Sequence, residues 1–169
     1  MTVASVESEI FSALGAKPIV MDFTEIFTAL ETKIIDGADA SNIATNMSLG
    51  IYDIAKHTTY PGFHSMAADH LACNLEVWNG LSPEHQSILE VAMQKVALQI
   101  MLRVLVDNGE SRQEMPDMGV TLYDWSVEDR NTYRDAAKSV WDEWAKKTPE
   151  AAEIVDSHKT FIDRVSIGR

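Results

Sequence analysis

Two short stretches carry the residue types that could meet a ligand. The first is DGADASN, residues 36–42. There Asp39 offers a carboxylate, and Ser41 and Asn42 offer neutral hydroxyl and amide groups. The second is YPGFHSM, residues 60–66, where Phe63 supplies an apolar wall and His64 a polar tip. Asp39 has the chemistry to accept hydrogen bonds or to ligate a hard cation. Both stretches read as turns, through Asp36-Gly37 and Pro61-Gly62. Each follows a segment whose apolar residues mark it as buried. Loops at the ends of α/β elements are where ligands bind. An acid–base enzyme built on Asp39 and His64 would need both groups close together in one cleft. Two ordinary turns are the competing reading.

The rest of the sequence offers little other chemistry. It has no glycine-rich phosphate loop, no G-x-S-x-G and no H-E-x-x-H. His57, His64, His70, His85 and His158 do not fall at metal-ligand spacing on one helix, so surface or core roles are expected. The single cysteine, Cys73, excludes an internal disulfide and a multi-cysteine zinc cage. It sits in the apolar run HLACNLEVW and reads as a small buried hydrophobe. Glu128, Asp129, Asp135, Asp142 and Glu143 could suggest a paired-carboxylate hydrolase, but they fall on the polar side of a helix and read as a solvated face.

Charge and hydropathy narrow the partners. The net charge of −12 over 169 residues argues against nucleic acid and against an anionic membrane surface. It leaves room for a small anion, which one local arginine or a few backbone N–H groups can hold. No run reaches the roughly 20 apolar residues of a membrane helix. The opening MTVASVESEIF has neither the basic nor the apolar region of a signal peptide.

The elements that must position these residues follow from periodicity. SVESEIFSAL predicts a helix, capped at Ser5 or Ser8 and stopped by Gly15. KPIVMDF predicts a short strand. TEIFTALETKII predicts a helix capped by Thr24, with Ile26, Phe27, Leu30 and Ile34 inward, ending at Asp36-Gly37. MSLGIYDIAKH predicts a short helix with Leu49, Tyr52 and Ile54 inward. Strands are expected on either side of YPGFH, the second carried by HLACNLEVWNGL into a turn. Ser82 and Pro83 open a helix of six or more turns, apolar nearly all round in VALQIMLRVLV. Such a helix needs cover on several sides, as from a second copy in a homodimer. MGVTLYDW predicts a strand. Ser126-x-x-Asp129 opens a helix with Tyr133, Ala137, Val140, Trp141 and Trp144 on its buried face, and Thr148-Pro149 opens the last one. Alternating helix and strand at the start with helices at the end gives an α/β fold with a mostly helical C-terminal part.

The stretch EIFSALGAKPIVMDFTEIFTALETKIIDGAD resembles the solute-binding proteins of tripartite ATP-independent periplasmic (TRAP) transporters, the DctP family of C4-dicarboxylate uptake. The resemblance rests on Ala13–Ala16, Pro18, Phe23, Glu25, Phe27, Ala29–Leu30, Asp36–Gly37 and Asp39. It extends to NLEVWNGLSPEHQSILEVAMQKVA, where the family has an Asn, an aromatic and then a Ser-Pro-Glu-x-Gln start to a long helix. YPGFH is similar to the branch that takes 2-oxo and 2-hydroxy acids. The resemblance implies a two-lobed periplasmic-binding-protein fold. Residues 1–169 would be its C-terminal portion: the second lobe, the long helix and the C-terminal helices, with the first lobe absent. It implies a periplasmic parent that binds a small organic acid and delivers it to TRAP membrane subunits. No catalysis is implied, and no cofactor beyond a cation bridging Asp39 to the ligand. Asp39, Ser41, Asn42, Phe63 and His64 would shape the site. The carboxylate-clamping arginine of relatives would precede Met1. Two departures stand out: Ala40 replaces the usual aromatic, and Ser65 and Met66 stand where a glutamate is common. The alternative is an α/β interaction protein with no small ligand.

Overall fold

The computed structural model describes residues 5–63 and 71–165. Helix α1 spans Ser5–Ala13 and ends at Gly15, whose φ of +88° is the left-handed conformation glycine tolerates. Residues 16–22 form neither helix nor strand: Ile19 and Val20 are exposed, and no described strand pairs with them. The expected strand at KPIVMDF is therefore corrected, because β-formers alone do not make a ladder.

The next helix starts two residues before the expected cap. The Asp22 side chain accepts from the Thr24 backbone N–H at 2.9 Å, opening a 3₁₀ turn at Phe23–Glu25 that runs into α2, Ile26–Glu31. Hydrogen bonds from the Thr24 hydroxyl and then its N–H hold the Asp22 carboxyl below its ordinary range. Helix α2 ends well before Asp36. Lys33 takes φ +58°, its N–H donates to Leu30 O (3.1 Å) and that of Ile34 to Ala29 O (2.9 Å). This is a Schellman closure with lysine in the position glycine usually fills. It shifts the phase of the chain: Ile35 is buried and Ile34 is exposed, reversing the expectation for Ile34.

Helix α3 (Ile43–Ser48) and helix α4 (Ile51–Ile54) replace the single helix expected after Met47. Gly50, at φ +70°, breaks them apart and leaves Leu49 exposed, against expectation, while Tyr52 is buried as expected. Strand β1 (His57–Thr59) pairs in parallel with β2 (Thr121–Tyr123), His57 facing Thr121 and Thr59 facing Tyr123. Residues 71–74 are irregular and Leu75–Asn79 is helix α5, capped by the Asn74 side chain. The second strand expected beyond YPGFH is thus absent from residues 71–79, and its earlier part lies outside the described residues. Cys73 is exposed, not a buried hydrophobe.

Helix α6 runs unbroken from Pro83 to Glu114, 32 residues, with Ser82 accepting from the His85 N–H. Helix α7 (Val127–Ala145) opens on the expected capping box, Asp129 N–H to Ser126 Oγ at 3.0 Å, and α8 (Pro149–Val165) on Thr148.

Two hydrophobic clusters form among the buried residues. Ile10 of α1 packs on Tyr133, Ala137 and Val140 of α7, flanked by Phe11, Trp141 and Trp144. The Trp144 indole N–H donates to Glu9 at 2.9 Å, fixing α1 against α7. The second cluster, Ile43, Tyr52, Met115 and Val120, ties α3 and α4 to the end of α6 and the start of β2. Only this end of α6 is buried. Residues 87–103 are exposed throughout, including Ile88, Val91, Leu98 and Ile100.

Candidate functional site

The two clusters meet along a cleft of about 630 Å³, within the size range of small-molecule sites. One wall is the segment Asp36–Ala40, delivered by the Lys33 turn. The floor is the β1–β2 ladder, and Trp125, just beyond β2, closes one side. Parallel pairing puts His57 and Tyr123 on the same face, and the Tyr123 hydroxyl lies 3.0 Å from His57 Nδ1. The ladder is held at both ends by Thr121 N–H to Lys56 O and Tyr60 N–H to Tyr123 O, each 2.8 Å. Lys56 Nζ donates to Tyr52 O and Met118 O, so its charge is spent on the framework.

The apolar part of the cleft is an aromatic group. Phe63 stacks on Trp125 at 4.8 Å with an interplanar angle of 7°, and both meet Tyr133 edge-on. Phe11 meets Phe63 at 5.6 Å and 90°. Offset stacks and edge-on contacts are the favourable geometries for such rings. Burial, then the charges of Glu7 and Asp39, push the Tyr133 hydroxyl up to about 12.

The residues singled out in the sequence divide. Asp39 and Phe63 come together as cleft lining. Ser41 and Asn42 do not line it. Asn42 caps α3, its Oδ1 accepting from Thr45 N–H and its Nδ2 donating to Thr45 Oγ1, both at 3.0 Å. The Ser41 carbonyl accepts from Asn46 Nδ2 at 2.9 Å. His64 lies outside the described residues. The structure adds His57, Tyr123, Trp125, Asn46 and Tyr52, which sequence reading left as framework. His57 and Tyr123 belong to segments 66 residues apart, and only strand pairing joins them. No three His, Cys, Asp or Glu side chains among the described residues come together as a metal cage. A groove of about 770 Å³ along α6 from Pro83 to Lys95 is lined by that helix alone and is an uncovered flank.

Comparison with known proteins gives this geometry its class. The model of bacterial extracellular solute-binding protein family 7 (DctP) matches residues 1–148, and the chain belongs to that family. It is 30% identical over 138 residues to the C4-dicarboxylate-binding periplasmic protein DctP of Rhodobacter capsulatus, covering 80% of this chain and 40% of the relative. It is 29% identical over 146 residues to the 2,3-diketo-L-gulonate-binding periplasmic protein YiaO of Escherichia coli, covering 86% and 43%. An apo, open TRAP periplasmic solute binding protein from Rhodobacter sphaeroides superposes with a TM-score of 0.72 at 28% identity, over 98% of this chain and 53% of that one. The chain thus spans about half the length of the proteins it matches, or somewhat less. The family's members are transport binding proteins.

Proposed function

We propose that this chain is the cleft-bearing C-terminal portion of an extracytoplasmic solute-binding protein that takes a small organic acid and passes it to a TRAP membrane transporter, without catalysis. The observation that carries this reading is the cleft itself. The Asp39 segment, the ends of β1 and β2 and the Phe63–Trp125 stack converge on one space of ligand size. Family membership and the carboxylate ligands named for the two bacterial relatives support it. No described arginine or lysine lines the cleft, and in this reading the ligand's carboxylate is held by another part of the parent.

Surface area supports an incomplete body. The chain exposes 12198 Å², whereas a compact monomer of its mass exposes about 8,300 Å². Much of the surplus apolar surface lies on α6, where Leu98 and Leu105 are 57% and 72% exposed. The first lobe of the parent covers that flank in this reading. A stable dimer of the 169-residue chain in light scattering would assign the cover to a second copy instead.

The test is a thermal-shift screen of the protein, extended through the upstream part of its reading frame, against organic acids with and without calcium or sodium. A rise in Tm with one acid class is expected. A well-folded protein that responds to no acid would move the assignment to the interaction-protein alternative.

A further inference from the structure

His57 and Tyr123 lie 66 residues apart in the chain and meet in the cleft lining, the Tyr123 hydroxyl 3.0 Å from His57 Nδ1. Their ring centroids are 5.7 Å apart. Both side chains are exposed, Tyr123 by 48%, so a molecule in the cleft can reach them. The backbone beneath them is the β1–β2 ladder, closed at its two ends by Thr121 N–H to Lys56 O and Tyr60 N–H to Tyr123 O. A paired backbone and a mutual hydrogen bond hold the two rings before any ligand arrives, which lowers the cost of binding one.

A count of hydrogens shows what the pair can offer. A neutral imidazole carries one N–H and a phenol one O–H. Their mutual bond uses one of these two hydrogens. The other is left over in either tautomer: on His57 Nε2 when the tyrosine donates, on the Tyr123 oxygen when Nδ1 donates. The neutral pair therefore always keeps one donor for a third group, and brings no positive charge with it.

The lining around the pair is rich in acceptors. It carries the carboxylates of Asp36, Asp39, Asp124 and Asp129, of which Asp124 is paired with Arg130, and His57 is the basic side chain among the described lining residues. Carboxylates can answer the hydrogens of a ligand hydroxyl but not an oxygen that only accepts. A second carboxylate on the ligand would also meet like charge. An uncharged carbonyl oxygen is the group that a neutral donor in an acidic lining suits.

We propose that His57 and Tyr123 act as one specificity-determining unit that donates a hydrogen bond to an uncharged carbonyl oxygen of the ligand, remote from its carboxylate. This deepens the acid-binding reading above and rests on it. The ligand is then an oxo acid whose carboxylate is held by another part of the parent and whose distant carbonyl is read by this chain.

Calorimetric titration of the parent protein with 4-oxopentanoate and 4-methylpentanoate tests this. The two acids share a branched outline and differ in carbonyl oxygen against methyl. The oxo acid should bind about fivefold tighter, the return on one neutral hydrogen bond. His57→Phe and Tyr123→Phe each leave the surviving group its own hydrogen, so each should narrow that preference only in part. The double variant should bring the ratio to about one while 4-methylpentanoate binds nearly as before, because only the hydrogen bond is lost. A merely structural role for the pair would weaken both acids alike. If the double variant does not fold, the imidazole nitrogens of His57 in the unaltered protein carry the test: their ¹⁵N signals should move with 4-oxopentanoate and stay with 4-methylpentanoate. Equal binding of the two acids, a preference that survives the double variant, or His57 signals that ignore the oxo acid would overturn the proposal. So would a parent that binds neither of them but responds to another acid in the thermal-shift screen, which leaves the acid-binding reading standing. A folded parent that responds to no acid would overturn both.

Discussion

Lys33 is the residue on which the position of the Asp39 segment turns, and replacing it by glycine should stabilise the protein. It closes α2 in the left-handed region at φ +58°, with its own N–H and that of Ile34 returning to Leu30 and Ala29. A side chain with a Cβ costs about 1–2 kcal/mol in that conformation. Glycine removes this strain but adds about 0.5–1 kcal/mol of unfolded-state freedom. Lys33 is exposed, so little packing is lost. Lys33→Gly should therefore gain about 0.5–1 kcal/mol net. With a urea m-value of about 2 kcal/mol/M, the midpoint should rise by about 0.3–0.5 M. Lys33→Ala serves as the control: it keeps the Cβ and should show no such gain. The assay is equilibrium urea unfolding followed by tryptophan fluorescence. A lower midpoint for Lys33→Gly, or an equal rise for Lys33→Ala, would refute the reasoning that backbone conformation, not the lysine side chain, sets this turn.

Gly50→Ala should cost about 1–2 kcal/mol in the same assay, because φ there is +70° and an added Cβ would lie 3.2 Å from an Asp53 carboxylate oxygen. Ser126→Ala removes the acceptor for the Asp129 N–H and should cost about 1 kcal/mol, with Ser126→Asp restoring most of it. Tyr133 should ionise near pH 12, above its ordinary value of 10.0, read as phenolate absorbance lost in Tyr133→Phe. Its raised pKa favours the neutral form in the folded state. The stability it contributes is full below pH 10 and is lost as pH rises through 12, and Asp39→Asn should lower the ionisation point.

The helical half was legible because its signals are local. Ser82-Pro83, the Ser126–Asp129 box and Thr148-Pro149 each name a helix start, and the Tyr133–Val140 face follows from a 3.6-residue period. The first half was harder. Asp22 competed with Thr24 for the cap, and a lysine closed a turn where glycine is the usual marker, so Ile34, expected inward, faces solvent. KPIVMDF has strand composition, but pairing is a property of two segments and only one was being read. The cleft was half legible for the same reason. Asp39 and Phe63 lie in turns that the sequence marks, whereas His57 and Tyr123 meet only through the parallel ladder, and Asn42 caps α3 away from the cleft lining.

The most direct test of the central claim is a ¹H–¹⁵N spectrum of the protein recorded as a tight-binding organic acid is added. The cleft account predicts shifts concentrated at Asp39, His57, Tyr123 and the Trp125 indole, with the Pro83–Lys95 flank of α6 unmoved by the acid. Saturable binding with shifts along α6 and none at those four residues would contradict it.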